Sequence, residues 1–280
     1  MLRKLAADLR RKVVAWIRPP GVFRFDTILL ARAEIRALLA EPRLADSLRL
    51  ERHGFRVYSQ FDEDGMIAEI FRRIGERSRI FVEFGAGDGT ENCTAFLLMQ
   101  GWKGLWIEGG PERVVRIRRL RSDEIALRHL SVVEAYVNPD TIDGLVSAAG
   151  FAGEIDLLSV DIDGNDYHVL ERISAVKPRV VVVEYNSKFP PPVSWIMKRN
   201  DAHVWDESDQ QGASLAALAA MMDRKGYALV GCSIAGVNAF FVAKELAAAK
   251  FAEPFAPETH YHPPRFYLAP GFYVGHPARK

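Results

Sequence analysis

Cysteine is scarce in this chain. Its 280 residues include two, Cys93 and Cys232. That is too few for a disulfide framework, and they show no metal-ligand spacing, so both are expected as reduced core residues. Long hydrophobic runs are missing as well: nothing approaches the roughly 20 apolar residues a membrane span requires. The charges nearly cancel. A formal net charge of +1 gives no general electrostatic case for nucleic-acid binding. No internal repeat is present, and the N-terminus has neither the apolar core nor the small-residue cleavage site of a signal peptide. A cytoplasmic protein is the simplest expectation. A hydrophobic content of 49% suits a globular core, and the length suits one α/β domain with additions.

What is present is uneven. In the first 18 residues, Arg3, Lys4, Arg10, Arg11, Lys12 and Arg18 oppose only Asp8, while Leu2, Leu5, Leu9, Val13, Trp16 and Ile17 fall mostly on one helical face. Such a helix suits an anionic membrane surface, or docking on the domain or on a second subunit of a homo-oligomer. Pro19-Pro20-Gly21 ends it. A second helix is expected at about 27–41, with Ile28, Leu29, Ile35, Leu38 and Leu39 as its apolar stripe. Ser59-Gln60-Phe61-Asp62-Glu63-Asp64-Gly65 opens another, its acids at the positive end, and Gly75 ends it.

Strands and helices then alternate, the pattern of a mostly parallel sheet. Strands are expected at 79–84, 104–108, 130–135, 155–160 and 179–184, with helices at 90–100, 111–121, 139–149 and 165–175. The last strand is a continuous β-branched run, as a central buried strand should be. A long irregular insertion at 187–212 holds Pro190-Pro191-Pro192, Trp195 and Trp205; a loop this long is usually functional or disordered. A helix at 213–225 and an antiparallel hairpin of strands 227–232 and 237–243 close the pattern. The tail after Phe251, rich in proline and aromatics, reads as a wrapping arm. Five parallel strands and a terminal hairpin are the layout of class I methyltransferases, a doubly wound Rossmann-like sheet.

Two stretches carry the chemistry. Phe81-Val82-Glu83-Phe84-Gly85-Ala86-Gly87-Asp88-Gly89 is a buried strand stopping at a glycine turn, and Trp106-Ile107-Glu108 is a strand ending on a carboxylate. Together they suit a nucleoside, with the turn for close backbone approach and the acid for the ribose hydroxyls. A dinucleotide turn also wants glycine at its sixth position, where this chain has Thr90. Glu83 and Asp88 would repel a pyrophosphate but welcome a cation. S-adenosylmethionine, with a sulfonium and an ammonium, therefore fits better than NAD. An NAD-dependent oxidoreductase and a non-catalytic cofactor-binding scaffold are the rival readings.

A second constellation is Asp161-Ile162-Asp163-Gly164-Asn165-Asp166-Tyr167, at the carboxyl end of strand 155–160, where ligands of open α/β sheets bind. Asp161, Asp163, Glu184 and Asn186 are expected to converge there. They would offer oxygen ligands to Mg²⁺ or Mn²⁺, or Asp161 would act as a general base. Asp163 and Asn165 also have the chemistry of helix caps. His168 and His203 are candidate proton acceptors. Gln60 and Asp64 are candidates for the methionine end of the cofactor.

These segments resemble the FkbM-type methyltransferases. The likeness rests on Tyr58 through Gly65, Phe81 through Gly89, Gly101-Trp102-Lys103-Gly104-Leu105-Trp106-Ile107-Glu108, Leu157 through Tyr167, and Val237-Asn238-Ala239-Phe240-Phe241-Val242, and spans about 58–243. The resemblance implies O-methylation of a sugar, glycan or related polar metabolite. It places Glu83, Gly85 and Asp88 on the methionine side of the cofactor, Glu108 on the ribose and Asp161 at the reacting centre; Ala86 and Gly87, in the same turn, are cofactor-binding candidates with them. The expected organisation is an N-terminal helical extension at 1–57, a class I methyltransferase domain at 58–243 and a C-terminal arm at 244–280.

Overall fold

The computed structural model describes residues 22–206 and 208–268; the basic segment 1–18 lies outside them. Helix α1 (Val22–Leu39) leads through short 3₁₀ turns to α2 (Glu63–Ile74). The alternating part follows as β1 (Ile80–Phe84), α3 (Ala95–Met99), β2 (Lys103–Glu108), α4 (Pro111–Leu120), α5 (Ser122–Ala126), β3 (Leu130–Glu134), α6 (Ile142–Ala148), β4 (Gly153–Val160), α7 (Asp166–Arg172) and β5 (Val176–Glu184). The chain then adds α8 (Leu215–Arg224), β6 (Tyr227–Cys232), β7 (Asn238–Ala243), α9 (Lys244–Ala247) and α10 (Pro257–His260).

The seven strands form one sheet in the order β3-β2-β1-β4-β5-β7-β6. β1 to β5 are parallel, and β7 runs antiparallel to both β5 and β6. This is the mostly parallel sheet with a terminal hairpin expected from the strand pattern. Alternation along the strands divides the core into two layers. Val181 and Val183 pack on one face with Ile142, Val169, Leu170, Leu218 and Met221. Val180 and Val182 pack on the other with Met66, Ile70, Leu98, Trp106 and Ile117. A continuous valine run is thus two half-strands of opposite allegiance, as a central strand covered on both faces requires.

Local boundaries depart from expectation where side chains compete for backbone groups. The helix expected at 90–100 is only α3, because residues 92–94 turn back to donate to Glu83. Cys93 therefore sits in a loop, half-buried, and not in a helix. β4 and β5 begin earlier than expected because Gly153 already pairs with Val176. Helix α1 starts at Val22, and its buried contacts come from Ala31 and Leu38; Leu29, expected on the apolar stripe, is 53% exposed. In the tail, Phe251, His260 and His262 are buried against the domain. Among the described residues no helix is long and apolar enough to cross a membrane.

Candidate active site

The carboxyl edge of the parallel strands gathers the chemistry. The Gly85 amide donates to the Ile107 carbonyl at 2.9 Å, tying the turn to β2. Gly85 has φ +76°, and a Cβ there would lie 1.6 Å from the Asp161 carbonyl oxygen. Only glycine lets the two loops meet so closely. Gly87 also has a positive φ, +57°, yet nothing lies within 4 Å of its would-be Cβ. That position faces open space, and Ala86 beside it is buried.

Glu108 ends β2 and is buried. One carboxylate oxygen accepts from the Gly87 amide and the other from the Gly110 amide, each at 2.8 Å, with Arg113 at 3.5 Å. These bonds fix the carboxylate at the mouth of the turn and leave lone pairs to spare.

The two turn acids are less free than their position suggested. Glu83 accepts from the Asn92 amide side chain at 2.7 Å, the Cys93 and Thr94 backbone amides, and the Thr94 hydroxyl at 2.5 Å. It holds the loop 92–94, and burial raises its pKa. Asp88 accepts from the Thr90 amide and hydroxyl and pairs with Arg116 at 2.8 Å. Asp64 takes the amides of Val57, Tyr58 and Ser59 on one oxygen at 2.6–2.9 Å; its other oxygen is buried without a partner. Gln60, on the segment Asp64 holds, is exposed.

Asp161, Asp163 and Glu184 place carboxylate oxygens within 4.8 Å of one another. Among the described residues no hydrogen bond or ion pair reaches the Asp161 carboxylate. Its pKa is pushed well up by burial and then by the charges of Asp163, Asp166, Glu83 and Glu63. Glu184 is raised well above the ordinary value by burial and by Asp161. Asp163 is raised by burial, while Arg113 and His203 oppose the rise. The loop that carries the cluster is shaped by Asp166, whose two oxygens accept the Ile162 and Gly164 amides at 2.8 Å. Asn165 holds the N-cap position of α7 but makes no side-chain cap bond, and Asp163 takes a left-handed backbone, φ +53°.

Asn186 is engaged with the insertion. Its amide donates to the carbonyls of Asp209 and Gln211 at 2.9 and 3.1 Å, and its Oδ1 accepts the Lys188 amide at 3.3 Å. His168 is engaged through one ring nitrogen. Its Nε2 lies 2.8 Å from the Met197 carbonyl, which can only accept, so this nitrogen carries the hydrogen and cannot take a proton. His203 differs: its ring packs where a Cβ on Gly164 would fall, 2.6 Å from His203 Cδ2, and its Nε2 is buried without a partner. The insertion is further pinned by reciprocal bonds between Asn165 and Asn200 at 2.9 and 3.1 Å. Within it Trp195 stacks on Phe189 at 4.6 Å, and Trp205 is 44% exposed.

Two residues escaped sequence reasoning. Glu63 is fully buried, bonded to Asn238 at 3.0 Å and to the Phe61 amide, and adds to the field on Asp161 and Cys93. Tyr136 follows β3 and is 77% exposed, its ring 2.5 Å from where a Cβ on Gly109 would stand. An aromatic two residues past Glu134, the strand partner of Glu108, would have been the signal for Tyr136. Nothing in the local sequence marks Glu63 apart from its acidic neighbours.

Residues 130–227 match the family model of the methyltransferase FkbM domain. The match covers about a third of the chain, including the acid cluster and the insertion; the glycine turn and Glu108 lie outside it. No curated protein matches the chain. Among solved structures it is similar to the methyltransferase domain of bacterial CtHen1, with 14% identity over 65% of this chain and 97% of that one and a TM-score of 0.42. It is also similar to magnesium protoporphyrin IX methyltransferase from Synechocystis PCC 6803 with bound SAH (10% identity, 64% and 80% covered, TM-score 0.42) and to a SAM-dependent methyltransferase from Aquifex aeolicus (13%, 75% and 96%, 0.38). These likenesses are too loose to add to the chain's own geometry. The family match, with the sheet order, supports an S-adenosylmethionine-dependent methyltransferase.

Proposed function

We propose that this chain transfers the methyl group of S-adenosylmethionine to a hydroxyl of a sugar, glycan or related polar metabolite. The observation that carries the reading is the unpaired carboxylate of Asp161, whose own backbone closes on Gly85 while its side chain joins Asp163 and Glu184. A cluster in which carboxylates outnumber the nearby cations, Arg113 being the one that acts on Asp163, favours a cationic donor beside the glycine turn and disfavours a pyrophosphate. Glu108 would accept the ribose hydroxyls, and Tyr136 would lie against the adenine. The open side of Gly87 leaves room for the nucleoside.

In the reaction the methyl carbon–sulfur bond breaks as the carbon–oxygen bond forms. The sulfonium becomes a neutral thioether, and the acceptor hydroxyl loses its proton. Holding donor and acceptor in line is the main contribution, worth roughly 7–11 kcal/mol of the barrier. Asp161, its proton affinity raised by burial and then by its acidic neighbours, is matched to take that proton. His203 sits over Gly164 to orient the acceptor, and Trp205 offers an exposed aromatic face for a sugar ring. Acceptor selection falls to the insertion at 187–212.

A second reading for the cluster comes from its convergence. Three carboxylates in reach of one point have the ligand type of a Mg²⁺ or Mn²⁺ site, and such an ion would lower the pKa of the acceptor hydroxyl. The experiment that tests the main reading is calorimetric titration with S-adenosylhomocysteine and with NADH, followed by incubation with labelled methyl donor and fractionated glycans, with and without a chelator. Binding of the homocysteine product and label in a glycan fraction support it, and loss of label on chelation would favour the metal. Tight NADH binding alone would overturn it. Cofactor binding without turnover in any fraction would leave a scaffold.

A further inference from the structure

We propose that the C-terminal arm belongs to the acceptor side of the site, and that Tyr185 and Tyr261 are positioning residues that set Glu184 and the insertion at 187–212. The proposal rests on the methyl-transfer reading and adds the element that holds the acceptor loop. Residues 185–187 are the hub. They follow Glu184, the last residue of β5, and lead into the insertion. The Tyr185 amide donates to the Val237 carbonyl at 2.9 Å. The Asn186 amide donates to the Ala213 carbonyl at 2.8 Å, where the insertion returns to the domain. The Asn186 side chain holds the Asp209 and Gln211 carbonyls, and Gln211 Nε2 reaches a Glu184 carboxylate oxygen at 3.5 Å. Whatever fixes this hub fixes both ends of the insertion and one acid of the cluster.

The arm grips the hub through two tyrosines that exchange bonds with the backbone. The Tyr185 hydroxyl donates to the His262 carbonyl at 2.7 Å and accepts the His262 amide at 3.3 Å. The Tyr261 hydroxyl donates to the Ser187 carbonyl at 2.6 Å. The two rings meet edge to face, their centroids 6.3 Å apart, and Tyr185 and Ser187 are buried. The arm itself is anchored. His262 Nε2 lies 3.2 Å from Glu51, which pairs with Arg49 at 2.6 Å, and Arg49 donates to the Thr259 carbonyl at 3.0 Å. Both charges of that pair are buried, so separating them is costly and the anchor is firm. The Arg265 amide donates to the Ala235 carbonyl at 2.7 Å, and a Cβ on Gly236 would stand 2.4 Å from the Pro263 carbonyl oxygen, so the arm lies directly on the turn between β6 and β7. Strand order decides which half of the site feels the arm. The hub ends β5, whereas Gly85, Gly87 and Glu108 lie at the ends of β1 and β2, with β4 between. Loosening the arm therefore reaches the acceptor side and spares the donor side.

The test is Tyr261→Phe in the full chain, which removes one hydroxyl and keeps the ring. Amide hydrogen exchange without ligands should speed up at 186–188 and 209–213 and stay unchanged at 85–89. Methyl transfer is then followed with labelled S-adenosylmethionine and the glycan fraction that takes label. The loss cannot exceed what one neutral hydrogen bond contributes, so KM for that fraction should rise by about 3–10-fold. A loosened insertion closes again on bound acceptor, so kcat should hold. Calorimetric affinity for S-adenosylhomocysteine should also hold. Unchanged exchange at 186–188 and 209–213, or an unchanged KM, would overturn the proposal. So would an equal loss of S-adenosylhomocysteine affinity, the mark of a tail that only stabilises the fold. Absence of label from every fraction would instead sink the methyl-transfer reading, and the exchange result would still decide whether the arm holds the insertion.

Discussion

Two aspartates, one within β4 and one just past its end, make the instructive contrast. Asp156 lies within β4 toward its amino end, fully buried. One of its oxygens accepts the Arg77 and Arg79 amides at 2.9 and 2.8 Å, and the other pairs with Arg179 at 2.7 Å. Asp161 follows the carboxyl end of the same strand, and among the described residues its carboxylate meets only other carboxylates. One aspartate is neutralised by a cation and backbone amides, and the other faces like charges. The first arrangement holds β1, β4 and β5 together at the amino edge. The second is a cost to the fold that a bound proton or a positively charged ligand relieves, which is why it reads as a site.

The contrast can be broken most sharply at Asp161. Asp161→Asn should lower methyl transfer by about 10²–10⁴, the range of a general base. The same substitution should raise the stability of the ligand-free protein by about 0.5–2 kcal/mol, because it removes repulsion at a strained site. The pH dependence has a definite sign. Asp161 and Glu184 keep a proton in the folded state that the unfolded chain has already lost. Stability therefore falls as pH rises above the ordinary carboxylate range toward their raised values, and Asp161→Asn should flatten that slope. Glu69 behaves oppositely. Arg72 and Arg73 hold it down to about 2, so its contribution is present above the ordinary glutamate value and lost as pH falls toward 2. A thermal-melt series across pH that shows Asp161→Asn less stable than the parent would end the distinction.

Asp156→Asn should do the reverse, costing about 3–5 kcal/mol in urea unfolding because Arg179 is left without its buried partner. Affinity for S-adenosylhomocysteine, measured on the fraction that remains folded, should not change. At the cofactor end of the same edge, Glu108→Ala should weaken calorimetric binding of S-adenosylhomocysteine by about 1.5–3 kcal/mol, as for hydrogen bonds to a charged group. Unchanged affinity would put the ribose elsewhere. Tyr136→Ala should cost about 1 kcal/mol in the same titration, the lower end for a base stacked on an aromatic ring. An intact affinity would show that the exposed ring touches no base.

Much of this was legible in the chain. The β-branched run at 180–183, the Gly85 and Gly87 turn and the acid ending β2 follow from period, composition and position, which act over a few residues. The FkbM resemblance, drawn from five segments, agrees with a family match that covers residues 130–227. What could not be read was the destination of side chains across the fold. Glu83 and Asp88 looked like open acids, but their carboxylates are taken by Thr94, Asn92, Thr90 and Arg116. Asn186, a candidate ligand, clasps the insertion, and His168, a candidate base, donates to Met197.

The sequence by itself determined the strand and helix order, the layers of the sheet and the edge at which the glycine turn and the acid ending β2 meet. These depend on hydrophobic period and on backbone conformations that only glycine adopts freely. Tertiary structure alone decided which carboxylates are neutralised and which are not, because a partner such as Arg179 for Asp156, or its absence for Asp161, lies tens of residues away along the chain. Charges interact through space at a few ångströms, and no local pattern records which distant residues will arrive there.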